Sequence, residues 1–183
     1  MSNKVNSLQP KLVILSDIWG TLNSDWITTY LQKLDNHFDV KFIDVRTLAG
    51  INYKIQEINV VHANFVQYGI QKAVKGLSCI ETDYILAFSI GGTIAWKTIA
   101  LGLKIKHLFA VSSTRLRKED CHLACSTTLF YGSLDTNKPR ALWQKRYSDH
   151  TQIYTNEYHE FYRKPSYAHR ISNYIIRSTS AHY

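Results

Sequence analysis

Cysteine is scarce in this chain of 183 residues: Cys79, Cys121 and Cys125 are the whole complement. That odd, sparse count argues against a disulfide framework and for a reducing, cytoplasmic setting. Long apolar runs are also missing. The longest are strand-sized, too short to span a bilayer. The opening "MSNKVNSLQP" has no apolar segment of a secretory signal, so none is expected. The segment "CHLAC" offers Cys121, His122 and Cys125 but no fourth ligand of the kind a zinc site needs. The pair Gly91–Gly92 lacks the lysine and spacing of a P-loop, and no G-x-G-x-x-G occurs. Neither a metal nor a cofactor is therefore expected. No internal repeat or low-complexity segment stands out.

What remains is the composition of a folded protein, 45% hydrophobic and 20% charged. The length suits one domain, residues 1–183, with a core from about residue 11 to 176 and a frayed tail from Ser178 to Tyr183. The formal net charge of +8 favours acidic partners in general. Tracts of interleaved basic and aromatic residues are absent, which places nucleic acid last among those partners.

Strand and helix signals alternate along the chain. "KLVILS" (Lys11–Ser16) is a continuous apolar run suited to a strand buried on both faces. A helix follows, with Ser24 as its cap and Trp26, Ile27, Tyr30, Leu31 and Leu34 on one face. Asp39–Val45 reads as a second strand. The spacing of Ile58, Val61, Phe65 and Tyr68 predicts a helix from about Lys54 to Val74, ended by Gly76. "YILAFS" is a third strand, and "GGTIAWKTIALG" the helix after it. "IKHLFAVSS" and "STTLFYG" are a fourth and a fifth strand. Pro139 opens a short helix, "HTQIYT" is a sixth strand, and Pro165 opens a last helix. Such alternation implies an α/β fold, a three-layer αβα sandwich around a mostly parallel sheet of about six strands. Ligands then bind beyond the carboxyl ends of the strands.

Three of the loops at that edge carry complementary chemistry. Ser89 follows the third strand in "AFSIGG", where Ala87 and Gly91 leave room for a sharp strand-to-helix turn. That turn sets the Ile90 amide at a helix N-terminus, facing any negative charge that develops beside Ser89. Asp135 follows the fifth strand in "LFYGSLD", and His159 follows the sixth in "YTNEYHEF". A serine hydroxyl becomes a nucleophile when an imidazole takes its proton, and a carboxylate fixes that imidazole's tautomer. Each residue has a plainer reading: Ser89 as a helix cap, Asp135 in turn chemistry, and His159 as a loop histidine. Their order and placement favour a joint role. Asp120, Glu119, His150 and His169 are rivals in worse positions, and His62 reads as a helix packing or surface residue.

The chain resembles the α/β-hydrolase superfamily from about Lys11 to Ile176. "FSIGGTIA" looks like its nucleophile elbow, "LFYGSLD" like its acid loop and "YHEF" like its histidine segment. "LVILSDIWG" looks like its first strand and oxyanion loop. By that resemblance Ile18 gives a second oxyanion amide beside Ile90. Two positions depart from the family pattern. Ala87 replaces a usual glycine, and Ser16–Asp17 stands where His-Gly is common. Asp17 sets a carboxylate beside an oxyanion site unless its side chain points away.

Only "TRLRKEDCHLAC" separates the fourth and fifth strands, too little for the helical cap of many relatives. The resemblance thus implies a capless serine hydrolase of esters or thioesters with an open site, flanked by Trp19, Trp143, Tyr158 and Phe161. Arg115, Arg117, Lys118, Lys138, Arg140, Arg163 and Lys164 all follow strands four to six and form a basic rim. A positive rim suits an acyl group borne by an acidic carrier protein. "WGTLNSDW" adds a faint similarity to the carrier-protein methyl ester esterases of biotin synthesis. The alternative is a hydrolase-like protein without catalysis that holds an acidic partner by this rim, with Asp17 as the feature favouring it.

Overall fold

The computed structural model describes residues 9–180. Its strands are β1 (Lys11–Leu15), β2 (Asp39–Ile43), β3 (Tyr84–Phe88), β4 (His107–Val111), β5 (Ser126–Gly132) and β6 (His150–Tyr154). Among the described residues they form one six-stranded sheet in the order β2-β1-β3-β4-β5-β6. Every pairing in it is parallel. β3 is buried at every position, and its register with β1 and β4 is continuous. Such strands read as unbroken apolar runs because helices cover both faces.

The helices are α1 (Ile27–Leu34), α2 (Val45–Ala49), α3 (Ile58–Asn64), α4 (Ile70–Leu77), α5 (Ile90–Ala100), α6 (Ala141–Tyr147) and α7 (Pro165–Ser180). A π-helical turn, Phe65–Gly69, joins α3 to α4 without a break in helical backbone. Two 3₁₀ turns, Thr114–Lys118 and His159–Arg163, follow β4 and β6. One core cluster lies under α2 to α6 and includes Phe65, Val74, Ile94 and Trp96. The other lies under α1 and α7 and includes Tyr30, Phe88, Phe130, Tyr162 and Ile171. The molecule is therefore the expected αβα sandwich. β1 leads outward to β2, and the chain then returns across β1 to β3. The loops leaving β1 and β3 diverge at this switch point, which opens a crevice at their carboxyl ends.

Several local expectations differ from the structure for definable reasons. The second strand stops at Ile43 because the Asp44 carboxylate accepts from the Arg46 and Thr47 amides and starts α2 there. The long helix begins at Ile58 rather than near Lys54. Glu57 caps it through the Asn59 and Val60 amides, while buried Arg46 donates to the Asn52 and Ile55 carbonyls and holds the preceding loop. Gly76 lies inside α4, which runs on to Leu77. Ser24 caps nothing, because its hydroxyl donates back to the Thr21 carbonyl. The expected tail from Ser178 is helical through Ser180, with Thr179 buried and bonded to the Ile175 carbonyl. The rest of that tail, 181–183, and most of the opening decapeptide lie outside the described residues. Among the described residues no helix is long and apolar enough to cross a membrane.

Phe88, the last residue of β3, sits edge-on to Trp26 and Tyr30 and tilted against Tyr162, with ring centroids 4.8, 4.9 and 5.1 Å away. Phe88→Ala removes a fully buried ring from this group and should destabilise the fold by about 3–5 kcal/mol, measured by denaturant unfolding.

Candidate active site

Ser89 occupies the single residue between β3 and α5, with φ 48° and ψ −115°. A side chain rarely adopts that backbone, and it persists here because both flanks are fixed. The Ser89 amide donates to the Val111 carbonyl of β4 at 2.8 Å. On the other side, a Cβ added at Gly91 would meet the Ser16 carbonyl oxygen at 2.6 Å. Glycine is thus what lets the start of α5 lie against the loop after β1.

Asp135 and His159 are brought to Ser89 by stitching between β5 and β6. The Ser133 amide donates to the Tyr154 carbonyl, and the Leu134 amide to that of Glu157, at 2.8 and 2.9 Å. A Cβ at Gly132 would strike the Glu157 carbonyl and come within 2.7 Å of that of Tyr158, so the two loops touch backbone to backbone. Across this seam His159 Nδ1 lies 2.7 Å from Asp135 Oδ2, and His159 Nε2 lies 3.1 Å from Ser89 Oγ. Asp135 is buried, and its other oxygen accepts from the Asn137 amide at 3.1 Å. An ionised carboxylate only accepts, so Nδ1 carries the ring hydrogen and Nε2 presents a lone pair to the serine hydroxyl. Sequence reasoning missed one further support. Ser112, also at a positive φ of 49°, donates its hydroxyl to the His159 carbonyl at 2.6 Å. The doubled serine after β4 was the signal available for it.

A cleft of about 400 Å³ opens over Ser89 and His159, and Ile18, Trp19, Ile90 and Arg115 are among the residues that line it. The two amides after Ile18 are committed: Trp19 donates to Asp17 Oδ1 and Gly20 to the Asp17 carbonyl. The Ile18 amide itself has no backbone or side-chain acceptor among the described residues. Ile58, Asn59 and His62 form another wall of the cleft. They went unrecognised because a helix after β2 reads as a cover for the sheet. His62 is not merely a packing or surface residue, since it faces this space. Burial, and then the charges of Arg115, Lys118 and Arg117, hold its pKa below the ordinary histidine value.

Four expected flanking residues lie elsewhere. Trp143 packs on Trp96 and donates its indole N–H to the Glu119 carbonyl at 2.7 Å, because α6 lies against the α5 side of the core. Phe161 is 1% exposed and turns inward between Tyr154 and Tyr167. Tyr158 is 69% exposed and does not line the cleft. Arg117 is used to hold backbone, donating to the Thr114 and Asn137 carbonyls. The basic rim is also thinner than expected. Lys138 donates to the Ser133 and Asp135 carbonyls, Lys164 pairs with Glu157, and Arg163 pairs with Asp17. Of the rival acids, Glu119 is bound to Lys97, and Asp120 lies exposed with its backbone carbonyl accepting from the Tyr147 hydroxyl. His150 stacks on Tyr174, and His122 packs on Tyr147. Burial pushes the Cys125 thiol up to about 11. Among the described residues no group of three or more His, Cys, Asp or Glu side chains could hold a metal ion.

Asp17 is the most informative departure. It is 1% exposed, and its Oδ2 accepts from Arg163 Nη2 at 2.6 Å and from the Tyr162 hydroxyl at 2.9 Å. Its carboxylate therefore points away from the cleft, toward the turn that carries His159. Burial, then the Asp17 charge, raises the Tyr162 phenol well above its usual value. Burial alone would lower Arg163, but the hydrogen bond and charge of Asp17 outweigh it and raise its pKa. Removing one partner of a buried pair leaves the other charge uncompensated. Arg163→Met should cost about 3 kcal/mol by chemical denaturation, and much less in an Asp17→Asn background; a double-mutant cycle reads the coupling.

No family model matches the chain, and no curated protein matches it by sequence. Solved structures do match by shape. A protein from Xanthomonas campestris pv. campestris assigned as a hydrolase of the alpha/beta superfamily superposes with a TM-score of 0.69 at 14% identity, over 93% of this chain and 99% of that one. A protein from Klebsiella pneumoniae subsp. pneumoniae assigned as a dienelactone hydrolase gives 0.68 at 12% identity, over 96% and 88%. RedJ, a thioesterase from the prodiginine biosynthetic pathway of Streptomyces coelicolor, gives 0.61 at 12% identity, over 93% and 86%. Sheet order, layer arrangement and these superpositions agree that the chain has the fold of the α/β-hydrolase superfamily.

Proposed function

We propose that this protein is a serine hydrolase that cleaves carboxylic esters or thioesters through an acyl-enzyme on Ser89. The observation that carries the reading is the hydrogen-bonded series Ser89–His159–Asp135, at 3.1 and 2.7 Å, with Ser89 in a strained turn at the mouth of a cleft. Ser89 Oγ attacks the acyl carbon as its proton passes to His159 Nε2. The ring becomes a cation beside Asp135, whose carboxylate stabilises it. Negative charge gathers on the former carbonyl oxygen, where the Ile90 and Ile18 amides receive it. The tetrahedral species collapses, its bond to the leaving oxygen or sulfur breaks, and His159 returns the proton to that atom. Water then repeats the sequence on the acyl-enzyme and releases the acid.

The reading that keeps the fold but drops the chemistry drew on Asp17. With that carboxylate tied to Arg163 and Tyr162, the feature no longer argues against an oxyanion site. Within the hydrolase reading, an acyl group on an acidic carrier protein remains the substrate class, because the positive charge of Arg115 and Lys118 attracts an acidic protein over the mouth of the cleft whichever side the leaving sulfur departs on. The thioesterase named above and the similarly folded ClbQ, from the colibactin NRPS/PKS pathway, support the thioester branch by analogy of fold.

A fluorophosphonate probe should label the purified protein at about one equivalent, and Ser89→Ala should abolish that labelling. The same variant, and His159→Ala, should lower kcat on p-nitrophenyl esters by roughly 10⁴-fold or more. A folded protein that takes up no probe would overturn the assignment. Arg115→Glu combined with Lys118→Glu should lower kcat/KM on carrier-bound thioesters at least about tenfold, and on p-nitrophenyl acetate far less. An equal loss on both substrates would remove the carrier from the proposal.

A further inference from the structure

Beside the cleft over Ser89 lies a second hollow of about 480 Å³, set between α4 and the far end of α5. Val66, Ile70, Val74, Ala100 and Leu101 supply its apolar lining. At its edge Lys97 and Glu119 neutralise each other at 2.9 Å, which leaves Arg115, among the described residues, as the one uncompensated charge of its lining. Two observations join it to the cleft. Arg115 borders both spaces. The unbroken helix from Ile58 to Leu77 also walls both, through Ile58 and His62 at the cleft and Val66, Ile70 and Val74 at the hollow. Those positions recur three or four apart, along one helical face. The π-helical turn, Phe65–Gly69, lies where the wall passes from one space to the other. The cleft meets α5 at Ile90 and the hollow meets it at Lys97, Ala100 and the capping Leu101, so a trough through both would start at Ser89 and extend along this 11-residue helix, about 16 Å.

We infer that this trough is the acyl-chain site, and that the substrate of Ser89 carries a long unbranched apolar acyl group. The inference rests on the hydrolase reading of Ser89. The layer arrangement decides which half of the substrate lies there. His159 must reach the leaving atom to protonate it, and His159 stands on a turn whose Phe161 and Tyr162 belong to the core beneath α1 and α7. The hollow belongs to the opposite layer, whose core includes Ile70 and Val74 of α4. The leaving group therefore departs on the His159 side, and the acyl chain runs the other way, past Arg115. At the carboxylate stage Arg115 stands beside the chain's charged head, and the apolar lining beyond takes the methylenes.

The test is a binding measurement, so that it does not depend on turnover. Calorimetric titration should show dodecanoate binding at least about 100-fold more tightly than butyrate, since each buried methylene contributes roughly fourfold and only part of the chain is covered. Ala100→Trp fills the hollow and Val66→Asp puts a charge on its wall. Each should cut the dodecanoate-to-butyrate ratio at least about tenfold, with folding checked by circular dichroism. Leu142→Asp, at an 84% exposed position on α6, should keep the ratio. Equal affinity for the two acids, or a ratio that neither trough variant moves, would overturn the inference. Failure of the hydrolase reading has a separate signature: Ser89 would then resist the fluorophosphonate while the chain-length preference persisted.

Discussion

A carboxylate buried to the extent of Asp17 must have its charge met, and meeting it joins the two halves of the site. Asp17 belongs to the loop after β1, and its partners Tyr162 and Arg163 belong to the turn after β6. β1 and β6 lie four places apart in the sheet, so no strand ladder sets the distance between these loops. The pair does so instead. Its Oδ1 also holds the Trp19 amide, and Ile18, between the two, lines the cleft. A residue that looks like a fault in the loop after β1 thus ties that loop to the residues just past His159. The enclosing rings reinforce the tie. Trp26 meets Tyr162 edge-on, Arg163 lies over Trp26, and the Tyr30 hydroxyl bonds to the Tyr162 carbonyl at 3.0 Å.

The elements that were legible in the sequence are those written locally. Strands buried on both faces appear as apolar runs, so β1, β3, β4 and β5 were readable at once. Ser89, Asp135 and His159 were readable because topology alone brings the carboxyl ends of parallel strands to one edge. The cleft's other wall was not. Ile58 and His62 reach it because Glu57 caps α3 after a loop that Arg46 holds from inside, and a buried arginine bonded to backbone carbonyls leaves no periodic trace. The aromatic flank was misread for a related reason. Proximity in sequence to His159 placed Phe161 at the site, but the turn kinks at Glu160 (φ −91°, ψ 16°), and Phe161 beyond the kink is buried in the core. Charge was the least legible property. Arg163, Lys164 and Lys138 count as free cations in a composition, yet each is engaged by an oxygen from its own neighbourhood or from the loop after β1.

Strain is concentrated where these loops meet. Ser89 and Ser112 both follow the last residues of central strands, and both hold positive φ without being glycine. Each is offset by specific bonds. The Ser89 amide binds the Val111 carbonyl, and the Ser112 amide binds that of Phe130 at 2.8 Å. Ser112 then uses its hydroxyl on the His159 carbonyl, so the strained turn after β4 grips the turn after β6. A glycine at either position would relax the backbone and lose what the side chain does. The two strained serines therefore divide the labour: one exposes its oxygen to the cleft, the other hides its oxygen in the scaffold that holds the imidazole.

The short link between β4 and β5 has a consequence for how the site is walled. It contributes one 3₁₀ turn, Thr114–Lys118, and no helical cap. A cleft over a sheet edge needs two sides, and with one reduced to a turn the other falls to the helix after β2. That helix is longer than one wall requires, and it changes pitch through a π turn midway, so its far half stands opposite the end of α5 instead of above Ser89. The 3₁₀ turn faces it across the gap with Arg115, whose guanidinium both spaces share. An apolar hollow accordingly lies to the side of Ser89, in the groove between α4 and α5 of one layer.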